Sequence, residues 1–542
     1  MDERAKPTSP NTDPRSGFNR ASRTFYSLRP PLHLPPPHAA VSAATYVFSV
    51  RRKSTFPDYS TAYIDAATGR RLSSGEFIHR VETLAANLTA VFKLSKGDTA
   101  LILSPNLIQV PILHFALLSA GVVVTPANPL STRYELTRVF TIAKPAILFT
   151  VTSVAEKTRE FNVKTILLDS SEFDSLTHTP SNPPSGLGMQ VTQSDVALIL
   201  FSSGTTGMVK GVELTHRNLT AIASLTNANP LDREHPSVTL VTVPFFHVFG
   251  FLINFRAVMT ADTVVVLERF SLTAMLGAVE RLRVTHVTVA PALVVAVTKG
   301  SVTDGYDLGS LEGIVCGGAL LAKETAIAFK SKFPNVCIIQ GYGLTESAVT
   351  RTTPEEANRV GTVGRLIPNV EAKIVNPKTG EAMFPGEPGE LWIRGPYVMK
   401  GYAGDPEATS ATLVNGWLRT GDLCYFDNEG YLYVIDRLKE LIKYKGYQVA
   451  PAELEELLLS HPEIGDAAVI PYPDELAGQI PMAFVVRQPQ SSLTAAEIMD
   501  FVAKRVTPYK KIRRVAFIDS IPKNAAGKIL RKDLRKVALS RL

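Results

Sequence analysis

The sequence predicts an α/β protein with a large N-terminal domain of several sheets and a small, mobile α+β domain at the C-terminus. At 542 residues the chain is too long for a single core. Short apolar strands alternate with helical segments through residues 40–437, which is typical of α/β units around largely parallel sheets. The pattern of strands and helices changes at residue 438, and the remaining residues, about a hundred, are enough for a separate small domain.

Residues 1–39 differ from the rest in composition, since they are rich in Pro, Ser and Arg. Pro30, Pro31 and residues 35–37 favour extended polyproline geometry. We expect a poorly ordered arm that then wraps the main body.

Individual elements follow from local patterns. Ser73 and Glu76 offer a capping box before a helix, and Thr494 and Glu497 offer a second one near the C-terminus. Short apolar runs predict strands at 99–103, 121–125, 146–150, 165–168, 196–201, 466–470 and 482–486.

Composition excludes several classes of protein. The 57 basic and 50 acidic residues give a net charge of +7 without a dense basic block, so no nucleic-acid partner is expected. No apolar run approaches the roughly 18 residues of a transmembrane segment. Residues 1–14 lack the apolar core of a secretory signal. The three scattered cysteines, Cys316, Cys337 and Cys424, indicate a reducing compartment.

The chain ends in Ser540, Arg541 and Leu542, a close variant of the Ser-Lys-Leu peroxisomal address. We therefore expect recognition by the peroxisomal import receptor and a peroxisomal location.

The strongest chemical signal is a loop directly after the strand at 196–201. Its glycines let backbone N–H groups approach an anion, its hydroxyls add donors, and a lysine adds charge. Val209 stands where a Walker A loop requires Gly-Lys, so this is not a Walker A loop. Phosphate binding is predicted, and a flexible turn is the alternative. The residues are Ser202, Ser203, Gly204, Thr205, Thr206, Gly207 and Lys210.

This loop resembles the signature of the adenylate-forming superfamily, which includes acyl-CoA synthetases, firefly luciferases and peptide-synthetase adenylation domains. The resemblance extends from about residue 40 to the C-terminal region and is closest to plant 4-coumarate–CoA ligases and their peroxisomal-type relatives, through residues 443–451. Further motifs of the superfamily appear in order at 244–247, 340–346, 416–422, 436–443 and 522–528.

The resemblance implies an AMP-forming acid–thiol ligase with Mg²⁺ as cofactor. A carboxylate attacks the α-phosphorus of ATP, and the thiol of coenzyme A then displaces AMP from the acyl-AMP. The expected acid is 4-coumarate or a related hydroxycinnamate. A peroxisomal medium- or long-chain fatty acid or a jasmonate precursor is the alternative, and a stand-alone module that loads a carrier protein is a third.

Catalytic roles follow from the same resemblance. Lys528 is the mobile lysine that bridges the attacking carboxylate and the α-phosphate. The Thr345 hydroxyl touches the α-phosphate, and Glu346 holds Mg²⁺. Asp422 accepts the ribose hydroxyls; the alternative interpretation is an aspartate that caps the N-terminus of a helix. Further nucleotide contacts are implied at Gln340, Gly341 and Arg437.

The resemblance also implies an acyl pocket beside His247, for which a packed core histidine is the competing interpretation. Glycine walls suit a flat aromatic acid, whereas apolar residues at 249 and 253 predict broad tolerance. Residues 347–361 border the pocket and are shorter than in typical coumarate ligases, which leaves the acid open. The implied acyl and adenylate contacts are His247, Phe249, Ile253, Gly317, Gly318, Gly341, Tyr342, Lys439, Lys443 and Gln448. The implied CoA contacts are Arg269, Lys445 and Gly446.

Overall fold

A computed structural model describes residues 11–180, 190–202, 209–227, 235–319, 321–444, 447–474, 477–525 and 527–540. Several predictions lie outside these residues, namely those on Ser203, Gly204, Thr205, Thr206, Gly207, Lys445, Gly446, Arg541 and Leu542.

The elements are numbered in chain order. The α-helices of the described chain are α1 Ala43–Arg51, α2 Ser74–Ala90, α3 Gln109–Ser119, α4 Arg133–Ala143, α5 Thr152–Ala155, α6 Ser171–His178, α7 His216–Asn227, α8 Val248–Thr260, α9 Leu272–Leu282, α10 Pro291–Thr298, α11 Lys323–Lys332, α12 Pro406–Thr412, α13 Pro451–Leu459, α14 Ala495–Ala503 and α15 Arg531–Ser540. The strands are β1 Phe18–Asn19, β2 Thr24–Tyr26, β3 Thr61–Asp65, β4 Arg71–Ser73, β5 Thr99–Leu103, β6 Val123–Ala127, β7 Ile147–Thr150, β8 Thr165–Leu167, β9 Val196–Ser202, β10 Lys210–Thr215, β11 Val238–Val241, β12 Thr263–Val266, β13 His286–Val289, β14 Gly313–Cys316, β15 Cys337–Leu344, β16 Ser347–Arg351, β17 Arg365–Leu366, β18 Glu371–Val375, β19 Gly389–Arg394, β20 Gly401–Tyr402, β21 Leu413–Val414, β22 Trp417–Phe426, β23 Leu432–Arg437, β24 Ile442–Tyr444, β25 Tyr447–Val449, β26 Ile464–Asp474, β27 Gly478–Arg487 and β28 Arg514–Phe517.

The described strands form four sheets. Sheet 1 has the order β20-β10-β9-β6-β5-β7-β8, and sheet 2 has the order β17-β16-β15-β14-β13-β11-β12-β3-β4. Both contain a parallel centre, as the alternation of strands and helices predicts. Sheet 3 runs β1-β2-β18-β19-β22-β21 with β23 on β22 and is antiparallel.

The main core lies between helices and the first two sheets. Every residue of α3 from Val110 to Leu118 is buried, which is typical of a helix enclosed on all sides. The ring of Phe115 on this helix stacks on Phe255 of α8 at 5.2 Å. Helix α8 is thereby held against the core, and its N-terminal turn is placed toward the ends of sheet 2.

Sheet 4 contains all the strands after residue 440, in the order β25-β24-β27-β26 with β28 on β27. Helices α13 and α14 pack on it around an apolar cluster that includes Leu454 and Ile498. Both halves of the predicted Thr494–Glu497 capping box are present. The predicted fold class is confirmed, whereas the exact domain boundaries stay a prediction.

The expectation of a poorly ordered N-terminal arm is wrong for the described part that carries β1 and β2. Strand β2 pairs with β18, so the arm extends sheet 3. Phe18 and Phe25 are 3% and 1% exposed, and the ring of Phe25 stacks on Phe426 at 4.2 Å. These two aromatic side chains order a segment whose overall composition favours disorder. Within the described residues, no helix combines the length and apolarity needed to cross a membrane.

Candidate active site

A cleft of about 320 Å³ opens where sheets 2 and 3 face the domain built on sheet 4. One wall carries Tyr342 of β15, Asp422 of β22 and Arg437 of β23. The opposite wall is formed by α13 and by the loop that ends in Lys528. Four of the side chains implied by sequence therefore meet in one space, although 186 residues separate the first of them from the last.

Asp422 is the acidic centre of this cleft. It lies within strand β22, opposite Arg437 in the ladder with β23, so it is not a helix cap. The Tyr342 hydroxyl donates to Oδ2 at 2.5 Å, and Arg437 Nε lies 3.3 Å from Oδ1. Burial raises the pKa of Asp422, which Arg437 and the Tyr342 hydrogen bond oppose. A carboxylate has about four acceptor positions, so further hydroxyls can still bind.

Lys528 faces Asp422 from the loop that precedes α15. Burial, followed by the positive charges of Arg437 and Lys439, lowers the pKa of Lys528 to about 8. The loop has a defined shape because Asn524 Oδ1 accepts the Lys528 N–H at 2.9 Å, and Asn524 N–H donates to the Lys528 carbonyl at 2.9 Å. Gly527 adopts a φ of +79°, a conformation that favours glycine. A Cβ atom added there would lie 3.0 Å from Cβ of Ala290, so the loop is packed against sheet 2.

Two polar contacts across the cleft hold the domain of sheet 4 in this orientation. Lys299, at the end of α10, donates to the carbonyls of Leu459 and Ile464 at 3.2 and 2.8 Å. The backbone N–H of Lys323 donates to Oε1 of Glu456 on α13 at 2.8 Å. Sequence reasoning missed both, since a single lysine or glutamate on a helix carries no signal of a distant partner.

Glu346 belongs to a second cluster, at the edge of sheet 1. The Tyr402 hydroxyl donates to Oε1 of Glu346 at 3.0 Å, and Nζ of Lys210 lies 4.6 Å from the centre of the Tyr402 ring. Burial and the neighbouring carboxylate raise the pKa of Tyr402. The other oxygen of Glu346 has no hydrogen bond or ion pair with any residue that the structure describes. One hard oxygen ligand beside the loop that is predicted to bind phosphate fits Mg²⁺, which binds through few carboxylates plus substrate phosphates.

Tyr402 is a site residue that sequence reasoning missed. It reaches the cluster because β20 pairs with β10, where Tyr402 lies opposite Val212. A two-residue strand has too little pattern to be detected locally, so no sequence signal identifies this tyrosine.

The other residues that are predicted to contact the nucleotide lie on β9, β10 and β15 or directly after β15. Ser202 ends β9 and lies opposite Lys210 in the ladder, so the two flank the loop at 203–208. Gln340 is 9% exposed, and its backbone is held by Thr352 through two hydrogen bonds of 2.8 Å. Gly341 follows it and lines the cleft, while Thr345 is half-buried.

His247 caps the N-terminus of α8. Its Nδ1 accepts the backbone N–H of Phe249 at 3.3 Å, and burial lowers the pKa of the ring. The neutral ring therefore carries its proton on Nε2. The ring of Phe249 covers Gly317, since a Cβ atom added to Gly317 would lie 3.3 Å from Cε1 of Phe249. Ile253 is 8% exposed on the next turn of the helix.

The acid slot that the resemblance implies would lie between α8 and the ends of β14 and β15. Gly318 lines the adjoining cleft and has a φ of +86°. At Gly317 only backbone faces Phe249, and the ring of Phe249 packs directly on it.

Of the other predicted residues, Lys439 is near the cleft, since its charge lowers the pKa of Lys528, and the rest lie on other elements. Lys443 and Gln448 are opposite each other on the β24–β25 hairpin, where Lys443 is exposed. Arg269 is exposed after β12. Lys439 is half-buried, its Nζ lies 3.9 Å from Glu440, and burial lowers its pKa. The roles of these residues stay predictions, which in this arrangement need another orientation of the domain.

Comparison with known proteins assigns the family. Residues 50–403 match the family model of the AMP-binding enzymes, and residues 453–528 match that of the AMP-binding enzyme C-terminal domain. The chain is 49% identical over 544 residues to 4-coumarate–CoA ligase-like 9 of Arabidopsis thaliana, and the match covers 97% of both proteins. It is 45% identical to peroxisomal OPC-8:0-CoA ligase 1 of the same plant, over 97% of this chain and 98% of the relative.

A solved structure has a similar fold. The o-succinylbenzoate CoA synthetase of Bacillus subtilis, in complex with its acyl-adenylate intermediate, matches 90% of this chain and 97% of its own, with a TM-score of 0.77 and 29% identity. From the two matched family models and relatives at this identity, the chain belongs to the family of AMP-binding, adenylate-forming enzymes and is similar to its plant 4-coumarate–CoA ligase-like members.

Proposed function

We propose that this enzyme activates a carboxylic acid as its acyl-AMP and transfers the acyl group to coenzyme A, and that the acid is 4-coumarate or a related hydroxycinnamate. The observation that carries the proposal is the meeting of Lys528 with Asp422, Arg437 and Tyr342 in one cleft between the domains. The family to which the chain belongs supports the general reaction, an ATP-dependent acid–thiol ligation.

In the adenylation step, the protein has to bring together two anions that repel each other. Asp422 orients the ribose through its hydroxyls, and Arg437 beside it supplies positive charge. Lys528 enters between the carboxylate and the α-phosphate, where its ammonium group stabilises the charge that develops in the transition state. The Thr345 hydroxyl donates to the same phosphate.

Lys210 and Glu346 act at the opposite end of the phosphates. Lys210 adds positive charge at the mouth of the loop that follows β9. Glu346, held by Tyr402, would bind Mg²⁺, which neutralises phosphate charge when bound.

For the second step, the domain of sheet 4 turns about Lys439 and carries Lys528 out of the cleft. This motion requires release of the contacts made by Lys299 and Glu456. In the cleft, the β24–β25 hairpin then takes the place of the loop that carries Lys528. Lys443 and Gln448 of the hairpin approach the adenylate. Coenzyme A is contacted by Lys445 and Gly446, together with Arg269. His247 lies between the acid slot and the path of the thiol and shapes access between them.

The acid is proposed from the slot between α8 and sheet 2. We place a flat ring beside Gly317 and Gly341, which carry no side chains, and beside Phe249, which packs on Gly317. Relatives that are named 4-coumarate–CoA ligase-like support this choice. A medium- or long-chain fatty acid or a jasmonate precursor is the second candidate, favoured by the apolar character of Phe249 and Ile253 and by the similarity to a peroxisomal OPC-8:0-CoA ligase. The same relative and the terminal residues 540–542 support a peroxisomal location.

A panel of acids tests the proposal. Steady-state kcat/KM is measured for thioester formation from cinnamate, 4-coumarate and straight-chain acids of six to sixteen carbons, with ATP, Mg²⁺ and coenzyme A. We expect 4-coumarate to be accepted with broad tolerance among the others. If aliphatic acids exceed every phenylpropanoid by about tenfold or more, the coumarate assignment is wrong and only the ligase reaction remains.

A parallel measurement separates the two steps. Pyrophosphate release without coenzyme A reports adenylation alone, and transfer to a holo carrier protein in place of coenzyme A tests the stand-alone module. Thioester formation on the carrier but not on coenzyme A would overturn the proposed thiol.

A further inference from the structure

Arg351, the last residue of β16, has a guanidinium group without a counter-charge. Among the described residues it makes no side-chain hydrogen bond and no ion pair. Burial, with the positive charges of Arg256 and Arg29 nearby, lowers the pKa of Arg351 to about 10. Arg351 is half-buried, so its guanidinium group is partly withdrawn from water and remains available to an anion or an acceptor oxygen of a ligand.

The two neighbouring arginines do not share this property. Arg29 donates to Glu356 at 2.8 Å and to the carbonyl of Arg351 at 2.7 Å. Arg256 lies 3.9 Å from Oδ2 of Asp262. Glu356 and Asp262 therefore pair with Arg29 and Arg256. The hydrogen bond from Arg29 to the carbonyl of Arg351 involves the backbone of Arg351 and leaves the side chain of Arg351 available.

The ladder between β15 and β16 places Arg351 at the acid slot. Arg351 lies directly opposite Gly341, and opposite residues of an antiparallel pair project from the same face of the sheet. Cys316 is the partner of Gln340 in the parallel pair β14–β15, so Gly317 lies beside Gly341 on this face. Gly317 is covered by the ring of Phe249. The guanidinium therefore emerges on the face that lines the slot.

Helix α8 shows which end of the slot this is. Phe249, Ile253 and Arg256 follow at spacings of four and three, so they share one face of the helix. Arg256 lies nine residues after His247, a distance of roughly 13 Å along the axis at 1.5 Å per residue. Arg351 is close enough to Arg256 for their charges to interact. The unpaired guanidinium thus belongs to the end of the slot that lies away from His247.

We propose that Arg351 recognises an acceptor oxygen at the far end of the acid, so that the enzyme prefers acids carrying a ring hydroxyl, a ketone or a second carboxylate opposite the reacting carboxyl group. This inference rests on the proposed acid–thiol ligation and narrows its substrate. Guanidinium groups bind such oxygens through charge-assisted hydrogen bonds, and a carboxylate can accept two of them. An acid that ends in a methyl group or an unsubstituted ring leaves the buried charge unpaired.

The test compares matched acids in the adenylation step. Acyl-AMP formation is followed by pyrophosphate release for decanoic acid, its terminal-methyl-ketone analogue and decanedioic acid, and for cinnamate with its 4-acetyl and 4-carboxy analogues. Wild type, Arg351→Met and Arg351→Lys are compared with Arg52→Met, which removes an exposed arginine that pairs with Glu82 at the surface. Thermal unfolding of each variant checks that it folds.

In the wild type we expect the acceptor-bearing acids to exceed their unsubstituted partners in kcat/KM by about tenfold or more. Arg351→Met should abolish this preference, mainly through KM, and leave the unsubstituted acids unchanged or improved. Arg351→Lys should restore part of it, and Arg52→Met should retain all of it. The ketone and the dicarboxylic acid separate recognition of a neutral acceptor from recognition of an anion.

Two results would overturn the inference. Equal rates for substituted and unsubstituted acids in the wild type would remove its basis. A uniform loss over all acids in Arg351→Met, with no change of preference, would show a structural role only. Failure to form acyl-AMP from any acid would instead refute the proposed function, so the two failures are distinguishable.

Discussion

The charge of Lys528 can be changed by pH without any mutation. Its pKa is lowered from 10.5 to about 8, because the amine is buried and faces Arg437 and Lys439. At about 1.4 kcal/mol per pKa unit, protonation of Lys528 in the free enzyme is less favourable by roughly 3 kcal/mol than protonation of an exposed lysine. Negative phosphates beside the amine act in the opposite direction, so with ATP bound the proton is retained to higher pH.

Adenylation should therefore decline as the pH rises through about 8 in the free enzyme, because only the protonated amine stabilises the developing charge. In pyrophosphate release without coenzyme A, kcat/KM should show this descending limb, whereas the limb in kcat should lie at higher pH. Lys528→Arg keeps its charge throughout this range and should lose the limb, although its absolute rate falls. Lys528→Ala should slow adenylation by about 10² to 10³ at every pH.

Thioester formation from supplied acyl-AMP serves as the control, because Lys528 has then left the cleft. It should change little in Lys528→Ala. The reasoning is refuted if the wild type shows no limb between about pH 7 and 9, or if the arginine variant keeps the same limb. Equal loss of both half-reactions in the alanine variant would also contradict the assigned role.

Three further changes test other parts of the structure. Glu346→Gln is nearly isosteric and should weaken the Mg²⁺ dependence of adenylation without unfolding the chain; an unchanged Mg²⁺ titration would place the metal elsewhere. Burial and the adjacent Glu324 raise the pKa of Glu456 from 4.5 to about 7 in the domain orientation in which Glu456 accepts the Lys323 N–H. This orientation therefore binds a proton that Glu456 otherwise releases, and it should become less favourable as the pH rises from about 5 to 7. The ratio of adenylation to thioester formation should fall from about pH 5 to 7 in the wild type and be flatter in Glu456→Gln, which mimics the protonated acid; parallel profiles would dismiss the contact. Deletion of residues 540–542 should leave an N-terminal fluorescent fusion diffuse in the cytosol, and persistent puncta would exclude the tripeptide as the address.

Local sequence predicted the fold class and most residues of the candidate site. Alternating strands and helices need only neighbouring residues to be recognised, and the parallel centres of sheets 1 and 2 confirm that pattern. The motifs around Asp422, Arg437 and Lys528 were identified for the same reason, since each is a short contiguous segment. Their meeting in one cleft follows from the family fold, in which the loop of Lys528 packs against Ala290.

Tertiary structure alone decided the features that depend on strand register and domain contacts. Tyr402 supports Glu346 only because β20 pairs with β10, and the role proposed for Arg351 depends on its position opposite Gly341. The N-terminal arm joins sheet 3 because two buried phenylalanines outweigh a composition that favours disorder. The contacts of Lys299 and Glu456 likewise join residues more than a hundred positions apart. A linear pattern records local periodicity and turns, whereas these pairings arise from long-range burial that no single segment encodes.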